Sequence, residues 1–184
     1  MDPDAKKSSD ISKYLSYVLR HRPDVIGISL DDNGWADIED LSSRLIGVGI
    51  IDSIGDILEV ALKSGKKRFT ISKDGTHIRA AQGHSVAVDL DLAPSVPPAL
   101  LFHGTAEQYL EAILAEGLRP MLRQKVHLSL DPERAHTIGQ RHGKPVVLRL
   151  ASGLMHEKGF AFWKADNGVW LVDAVPKRFL SRVF

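Results

Sequence analysis

The order in which the apolar residues change their spacing is the feature that most constrains the fold of this chain. Up to about residue 63 they recur every three or four positions, which is typical of helices that bury one face. Beyond that point they form the short runs and alternations typical of β-strands. The three helical stripes consist of Ile11, Tyr14, Leu15, Val18 and Leu19, then Ile38, Leu41 and Leu45, then Ile54, Ile57, Leu58 and Ala61. We therefore predict an α+β fold whose first helix follows polar, frayed residues 1–10.

A hairpin is predicted directly after the third helix. Two short β runs, residues 68–72 and 76–80, flank a turn that contains Asp74 and Gly75, and an Asp-Gly pair between such runs favours a tight turn. Three helices followed by a hairpin is the order of a winged helix, a common nucleic-acid-binding module. A helical lobe with a purely structural hairpin has the same order. The pattern thus predicts a winged-helix lobe over residues 1–85 and leaves that alternative open.

A second unit is predicted after a break rich in proline. Residues 86–98 contain three prolines and are interpreted as a linker, although residues 86–90 have the composition of a short strand. Residues 99–184 are predicted to form a compact, mostly β unit with two helices, one capped by Thr105 and one by Asp131. The strands are expected at residues 99–102, 126–130, 146–150, 159–164 and 169–172, with Val126, Leu128 and Leu130 on one strand face.

Composition excludes several classes of protein. A hydrophobic content of 43% over 184 residues is ample for a core, and no apolar run approaches the ~18 residues that cross a membrane. The charged first residues are not followed by an apolar signal region, so a cytoplasmic protein without membrane association is expected. The absence of cysteine excludes disulfides, thiolate zinc sites and a cysteine nucleophile. None of the eight histidines forms the paired pattern of zinc hydrolases, so no metal site is predicted.

Charge is distributed unevenly along the chain, although the net charge is only +1. Residues 24–59 hold nine acids and one base, whereas residues 60–84 hold six bases and one acid. Together with the bases of the first helix, the second segment can form a positive face for a phosphate backbone. We predict that Lys13, Lys66 and Lys67 contact nucleic acid in this way, without sequence specificity.

Three cationic residues, Arg20, His21 and Arg22, stand where Pro23 is predicted to end the first helix. They can simply complement the negative end of the helix dipole, a surface effect of roughly 0.3 to 1 kcal/mol. Motifs elsewhere in the chain favour a chemical role. These motifs are Leu15-Ser16 with Leu19-Arg20-His21, Lys67-Arg68-Phe69, Ile78-Arg79-Ala80 with Gln82-Gly83-His84-Ser85, Leu101-Phe102-His103-Gly104-Thr105, Met121 with Arg123, Val126-His127-Leu128-Ser129, and Asn167-Gly168-Val169-Trp170-Leu171.

In this order the motifs resemble the RNA 2′-phosphotransferase family, and they span roughly residues 11–180. The resemblance implies removal of an internal 2′-phosphate from RNA, as in tRNA splicing, with NAD consumed as the acceptor. The products are 2′-hydroxyl RNA, nicotinamide and ADP-ribose 1″,2″-cyclic phosphate. It also implies that residues 1–85 hold RNA and that residues 99–184 form an ADP-ribosyltransferase-like lobe that holds NAD. One chain supplies every implied residue, so a monomer suffices.

The resemblance assigns a catalytic tetrad to Arg20, His21, Arg68 and Arg123, with Arg119 as the alternative for the last position. Guanidinium groups suit this role because they meet phosphate oxygens with paired hydrogen bonds. An imidazole is the natural proton carrier because its ordinary pKa, about 6.5, is near working pH. The resemblance also places His84 among the RNA-binding residues.

The NAD-binding residues implied by the resemblance are His103, Gly104, Thr105, His127, Ser129, Gly139 and Arg141. The chain lacks the G-x-G-x-x-G fingerprint of dinucleotide-binding folds, so NAD binding is implied by resemblance alone. Val169 stands where protein-modifying relatives carry a glutamate that activates the nucleophile. A phosphate dianion needs no such activation.

Two other functions are compatible with the same residues. The first is an ADP-ribosyltransferase that stops after one step and caps phosphorylated nucleic-acid ends. The second is a winged-helix protein that binds nucleic acid without catalysis, in which case affinity depends on salt and NAD has no effect.

Overall fold

The computed structural model describes residues 3–63 and 67–183. The chain divides into two compact units, Met1–Asp91 and Leu92–Phe184. The secondary structure is mixed and includes three small antiparallel sheets, which confirms the predicted α+β class. Among the helices of the described residues, none combines the length and the apolar character needed to cross a membrane.

Unit 1 contains the three predicted helices and the predicted hairpin. Its elements are α1 (Pro3–Arg20), a 3-10 helix (Pro23–Ile26), β1 (Ala36–Asp37), α2 (Ile38–Gly47), α3 (Ile54–Lys63), β2 (Phe69–Ile71) and β3 (His77–Ala80). The strands pair in the order β1-β3-β2. α1 begins at Pro3, so the expectation that residues 1–10 fray was wrong for residues 3–10, whereas residues 1 and 2 lie outside the described residues. Asp37 ends β1 and caps α2, because its carboxylate accepts a hydrogen bond from the amide of Asp40 at 2.8 Å.

The core of unit 1 consists of the apolar stripes that predicted its helices. Leu15, Val18 and Leu19 of α1 are fully buried against the apolar side chains of the other helices and the hairpin. Burying a side chain of this size stabilises the fold by about 1.5 to 3 kcal/mol. One predicted stripe member does not join the core, since Ile54 at the start of α3 is 40% exposed.

The proline-containing stretch between the hairpin and unit 2 is held by isolated backbone hydrogen bonds rather than by a strand ladder. Residues 86–90 do not form the strand that their composition suggested, because they pair with no strand among the residues that the structure describes. Instead the amide of Asp89 donates to the carbonyl of Asp32 at 2.8 Å within unit 1. In unit 2 the amide of Ser95 donates to the carbonyl of Phe162 at 2.7 Å.

Unit 2 is built on two three-stranded antiparallel sheets. Its elements are β4 (Leu101–Ala106), α4 (Glu107–Glu116), β5 (Val126–Leu128), α5 (Pro132–Gly139), β6 (Pro145–Leu150), α6 (Ser152–Glu157), β7 (Trp163–Lys164), β8 (Trp170–Val172) and β9 (Leu180–Arg182), with 3-10 helices at Gln140–His142 and Lys177–Phe179. The sheet orders are β4-β6-β9 and β5-β8-β7. A bridge between Phe102 and Ser129 joins β4 to the chain that leaves β5. The two sheets therefore meet beside His103 and His127.

Several local expectations for unit 2 were wrong. Thr105 does not cap α4: it is buried within β4, and Ala106 occupies the cap position without a side-chain hydrogen bond. Leu130 is 52% exposed because β5 ends at Leu128. The unit also has a third α-helix, α6, and a strand, β9, that the pattern did not predict. The cap of α5 is confirmed, since the carboxylate of Asp131 accepts from the amide of Glu133 at 2.8 Å.

Candidate functional site

A cleft of about 310 Å³ lies along the end of α1 in unit 1. Its lining residues are Lys13, Ser16, Tyr17, Arg20, His21 and Arg68. Three of the four predicted tetrad members thus border one cavity, and Lys13, a predicted RNA contact, lies at the same place. Two guanidiniums and an imidazole around a single cleft form a site suited to a phosphate group.

The C-terminal end of α1 is fixed by a segment distant in sequence. The amides of Ser85 and Val86 both donate to the carbonyl of Arg20, at 2.9 and 3.3 Å. These bonds satisfy a carbonyl at the helix terminus, where intrahelical donors run out. The Nδ1 atom of His21 also lies 2.9 Å from Oγ of Ser85. Ser85 and Val86 therefore hold the backbone of Arg20, and Ser85 also contacts the side chain of His21.

The guanidinium of Arg68 is anchored to α1 rather than directed freely into solvent. Its Nη1 atom donates to Oγ of Ser12 at 2.7 Å, and Ser12 is only 3% exposed. Arg20 approaches the same residue, with Nη2 3.5 Å from the carbonyl oxygen of Arg68. The hairpin side and the helix side of the cleft are thus connected through its arginines.

Arg22 does not belong to the cleft, although sequence places it beside Arg20 and His21. Its guanidinium forms hydrogen bonds with the carboxylate of Asp24, at 2.9 Å from Nε and 2.8 Å from Nη2. This contact raises the pKa of Arg22 and lowers that of Asp24. Arg22 is therefore an exposed ion-paired residue and a natural control for its neighbours.

The other predicted RNA-binding residues have different positions. Lys67 is exposed and has a positive φ of 39°, and Lys66 lies outside the described residues. His84 is only 2% exposed, so it is placed inside unit 1 rather than on the surface. Neither of its ring nitrogens has a hydrogen-bond partner among the residues that the structure describes. Burial, followed by the charges of Arg20, Arg79 and His21, lowers the pKa of His84 to about 4.

The depressed pKa of His84 predicts a loss of stability in mild acid. Above about pH 6.5 the His84 ring is neutral in both the folded and the unfolded chain, and the free energy of unfolding has its full value. As the pH falls from 6.5 toward 4, the unfolded chain binds a proton that the folded protein does not, and the free energy of unfolding falls by up to about 3 kcal/mol. A His84→Leu variant should show a smaller loss over the same window. Urea unfolding at several pH values measures the free energy of unfolding of both proteins, and hydrogen exchange of the α1 amides gives a second measurement. Parallel pH curves for the two proteins would contradict the assignment.

The histidines of unit 2 lie where its two sheets meet. Nδ1 of His103 is 3.0 Å from the carbonyl oxygen of His127, so it must donate and leave Nε2 as an acceptor. Nη1 of Arg123 is 2.6 Å from Nδ1 of His127, and an arginine can only donate. The proton of a neutral His127 ring is therefore on Nε2. The two imidazoles are held in opposite tautomers, one with an acceptor and one with a donor at Nε2.

Arg123 and Arg119, the two candidates for the fourth tetrad position, have different contacts. Arg119 lies 3.7 Å from the carboxylate of Glu116, with both side chains largely exposed, and Arg123 contacts His127. Desolvation by burial lowers the pKa of His103, with a smaller contribution in the same direction from the charges of Arg123 and His142, and this outweighs the hydrogen bond to the carbonyl of His127, which raises it. Its imidazole is therefore neutral near pH 7, as an acceptor at Nε2 requires.

The remaining predicted NAD-binding residues surround β4 and α5. Ser129 is buried, and its amide and carbonyl pair with those of Phe102. Gly104 and Gly139 lie where α5 packs on β4: a Cβ at Gly139 would be 2.5 Å from the carbonyl oxygen of Thr105. Both glycines therefore have a packing role. Arg141 is exposed in the 3-10 helix after α5.

Sequence reasoning gave no role to four residues around the cleft of unit 1, which are Ser12, Ser16, Tyr17 and Ser85, although Ser16 and Ser85 belong to the quoted motifs. A signal for two of them existed, because Ser12 and Ser16 precede Arg20 at intervals of four and so share its helix face. The motif that contains Ser85 gave no sign of its contact with His21, since the two residues are 64 positions apart in the sequence.

Comparison with known proteins gives one consistent result. Residues 6–174 match the family described as RNA 2′-phosphotransferase, Tpt1/KptA family. A protein of Agrobacterium fabrum is 56% identical over 175 residues, which cover 95% of this chain and 94% of its own. Proteins of Hahella chejuensis and Streptomyces griseus are 49% and 48% identical, covering 96% of this chain and 95% and 97% of theirs. All three are described as probable RNA 2′-phosphotransferases.

Proposed function

This chain belongs to the RNA 2′-phosphotransferase, Tpt1/KptA family, and we propose that it transfers an internal 2′-phosphate from RNA to NAD. The observation that carries the proposal is the cleft at the end of α1, where Arg20, His21 and Arg68 border one cavity. Two guanidiniums there can bind the non-bridging oxygens of a phosphate in paired hydrogen bonds.

The reaction consists of two displacements. In the first, an oxygen of the 2′-phosphate bonds to the anomeric carbon of the nicotinamide ribose, and the bond from that carbon to nicotinamide breaks. In the second, the ribose 2″-oxygen bonds to phosphorus, and the bond from phosphorus to the RNA 2′-oxygen breaks. One proton leaves the 2″-hydroxyl and one reaches the RNA 2′-oxygen. ADP-ribose 1″,2″-cyclic phosphate and 2′-hydroxyl RNA result.

Three members of the tetrad have defined tasks in the second displacement. Arg20 and Arg68 stabilise the negative charge that builds up on the phosphate oxygens, the role in which preorganised donors contribute most to catalysis. His21 carries a proton to or from a reacting oxygen. Arg123 is proposed as the fourth member, on the basis of the family pattern and its contact with His127.

We assign NAD binding to unit 2, with His103 and His127 as its principal polar contacts. Their Nε2 atoms offer one acceptor and one donor, a set that fits the hydroxyl groups of a ribose. Ser129 and Thr105 are buried beside them, and Gly104, Gly139 and Arg141 complete the proposed set. In this proposal residues 1–85 act as a winged-helix RNA lobe, residues 86–98 as a linker and residues 99–184 as an ADP-ribosyltransferase-like lobe. The protein acts as a cytoplasmic monomer.

A turnover assay tests the function directly. A short RNA with one internal 2′-phosphate, incubated with NAD, should yield nicotinamide, ADP-ribose cyclic phosphate and 2′-hydroxyl RNA in equal amounts. If the phosphate stays on the RNA when NAD is present, the proposal fails. An ADP-ribose label that stays on RNA with a terminal phosphate would instead indicate a capping transferase. RNA binding without any use of NAD would indicate a non-catalytic protein.

A further inference from the structure

We propose that Ser85 is a positioning residue that holds His21 with the ring proton on Nδ1 and so keeps Nε2 as the proton-accepting atom. The inference rests on the proposed function, because it concerns how His21 is prepared for proton transfer. Ser85 stands in the motif Gln82-Gly83-His84-Ser85, but the resemblance gives it no role, and it lies 64 positions from His21 in the sequence.

The position of the Ser85 hydroxyl is set by its own backbone. The amide of Ser85 donates to the carbonyl of Arg20 at 2.9 Å, and the next amide, of Val86, donates to the same oxygen at 3.3 Å. His21 directly follows Arg20, and its own amide donates to the carbonyl of Tyr17 at 3.0 Å. The backbones that carry the hydroxyl and the imidazole are therefore held at the same helix end, and the 2.9 Å contact between Oγ and Nδ1 joins their side chains.

The surroundings of the contact are buried on one side and exposed on the other. His84, next to Ser85, is 2% exposed and anchors the segment inside unit 1, whereas Ser85 and His21 are exposed toward solvent. The charged groups that line the cleft with His21 are Arg20, Lys13 and Arg68, and the neighbouring carboxylate of Asp24 is paired with Arg22. The three charged groups of the cleft are cationic, and none of them can accept a hydrogen bond from Nδ1.

The hydroxyl oxygen supplies what these cations lack. A serine hydroxyl can donate to an imidazole nitrogen or accept from it. A base that takes a proton at Nε2 must carry its own proton on Nδ1, and in that state Oγ of Ser85 accepts the hydrogen bond from Nδ1. After the 2″-hydroxyl gives its proton to Nε2, the imidazolium still donates from Nδ1 to the same oxygen. The proton on Nε2 can then pass to the departing RNA 2′-oxygen. A single orientation of the ring thus serves both transfers.

The test compares the wild type with Ser85→Ala and Ser85→Thr in the two-step assay. Alanine keeps the backbone amide that holds α1, so the fold should be retained and KM for RNA should change little. The rate of the second step should fall about ten- to a hundredfold, a part of the 10²- to 10⁴-fold that general acid–base catalysis supplies. Threonine keeps the hydroxyl at an exposed position and should restore most of the rate. Ser43→Ala, an exposed serine of α2, is the matched control and should not alter the rate.

The tautomer itself is measured by ¹⁵N NMR of the His21 ring. In the wild type and in Ser85→Thr the Nδ1 atom should be protonated, and in Ser85→Ala the proton should shift toward Nε2. An unchanged rate and tautomer in Ser85→Ala would overturn the inference while leaving the enzyme active. A wild type that fails to dephosphorylate RNA would overturn the proposed function instead, so the two failures are distinguishable.

Discussion

Replacing Arg68 by alanine is expected to slow the second displacement by about 100- to 1000-fold, as the loss of one preorganised donor to developing charge does in other enzymes. The first displacement uses a phosphate oxygen as the nucleophile, and its rate should fall less in the Arg68→Ala variant. ADP-ribosylated RNA should therefore accumulate while nicotinamide is still released. Gel analysis of labelled RNA, run beside a nicotinamide assay, separates the two steps.

The control for Arg68→Ala is Arg22→Ala, which removes an arginine from the same helix end. Arg22 is paired with Asp24 and does not line the cleft, so its loss should leave both steps within about twofold, given the small energies of exposed ion pairs. His21→Ala should also stall the second step. If nicotinamide release and dephosphorylation slow by the same factor in Arg68→Ala, then Arg68 acts in binding or in the first step.

A structural effect of Arg68→Ala must be separated from the catalytic one. The change leaves the hydroxyl of Ser12 buried without its partner, which costs about 1 to 3 kcal/mol of stability. Ser12→Ala removes the same hydrogen bond while keeping the guanidinium. If Ser12→Ala turns over close to the wild-type rate, the stalled step in Arg68→Ala is due to the missing charge and donors rather than to a weakened fold.

The parts of the fold that could be predicted from sequence are those that local patterns determine. The stripes of α1, α2 and α3 predicted three helices because each buries one face in a single core. The hairpin followed from its Asp-Gly turn. By contrast, β1 and β9 contain two and three residues, and strands so short form because a partner strand is present, not because of their own composition.

The error at Thr105 shows how tertiary pairing overrides a local signal. A threonine before a helical segment is a good cap by composition. Thr105 nevertheless pairs with Val146, because β6 runs alongside β4 for six residues and extends the strand to Ala106. The cap position therefore moves to a residue without a capping side chain. No property of residues 103–107 alone reveals that partner.

The candidate site was predictable only to the extent that a resemblance named its residues. Motif order indicated Arg20, His21 and Arg68, and the structure places all three at one cleft of unit 1. The contacts that hold them were not predictable. Ser12 reaches Arg68 across 56 positions and Ser85 reaches His21 across 64, and one-dimensional periodicity carries no information about such distant pairs.

The largest effect on stability is expected from Gly104→Ala in β4. A Cβ atom at this position would lie 1.7 Å from the carbonyl oxygen of Ala135 and 2.6 Å from its carbon, both in the backbone of α5. Backbone atoms of a packed helix cannot rotate aside as a side chain can, so α5 would have to leave its place on the sheet. We expect a loss of more than about 4 kcal/mol, the range in which a change of packing disrupts a core.

For a domain of this size such a loss lowers Tm by more than about 15 °C, and it should appear first in unit 2. Hydrogen exchange should show unprotected amides in β4, α5 and β6 while α1 remains protected. Gly47→Ala is the matched control, because a Cβ there meets no atom within 4 Å and alanine favours helix. A Gly104→Ala protein that melts within a few degrees of the wild type would show that α5 can shift on β4. The close packing of the two elements would then not be what requires glycine at this position.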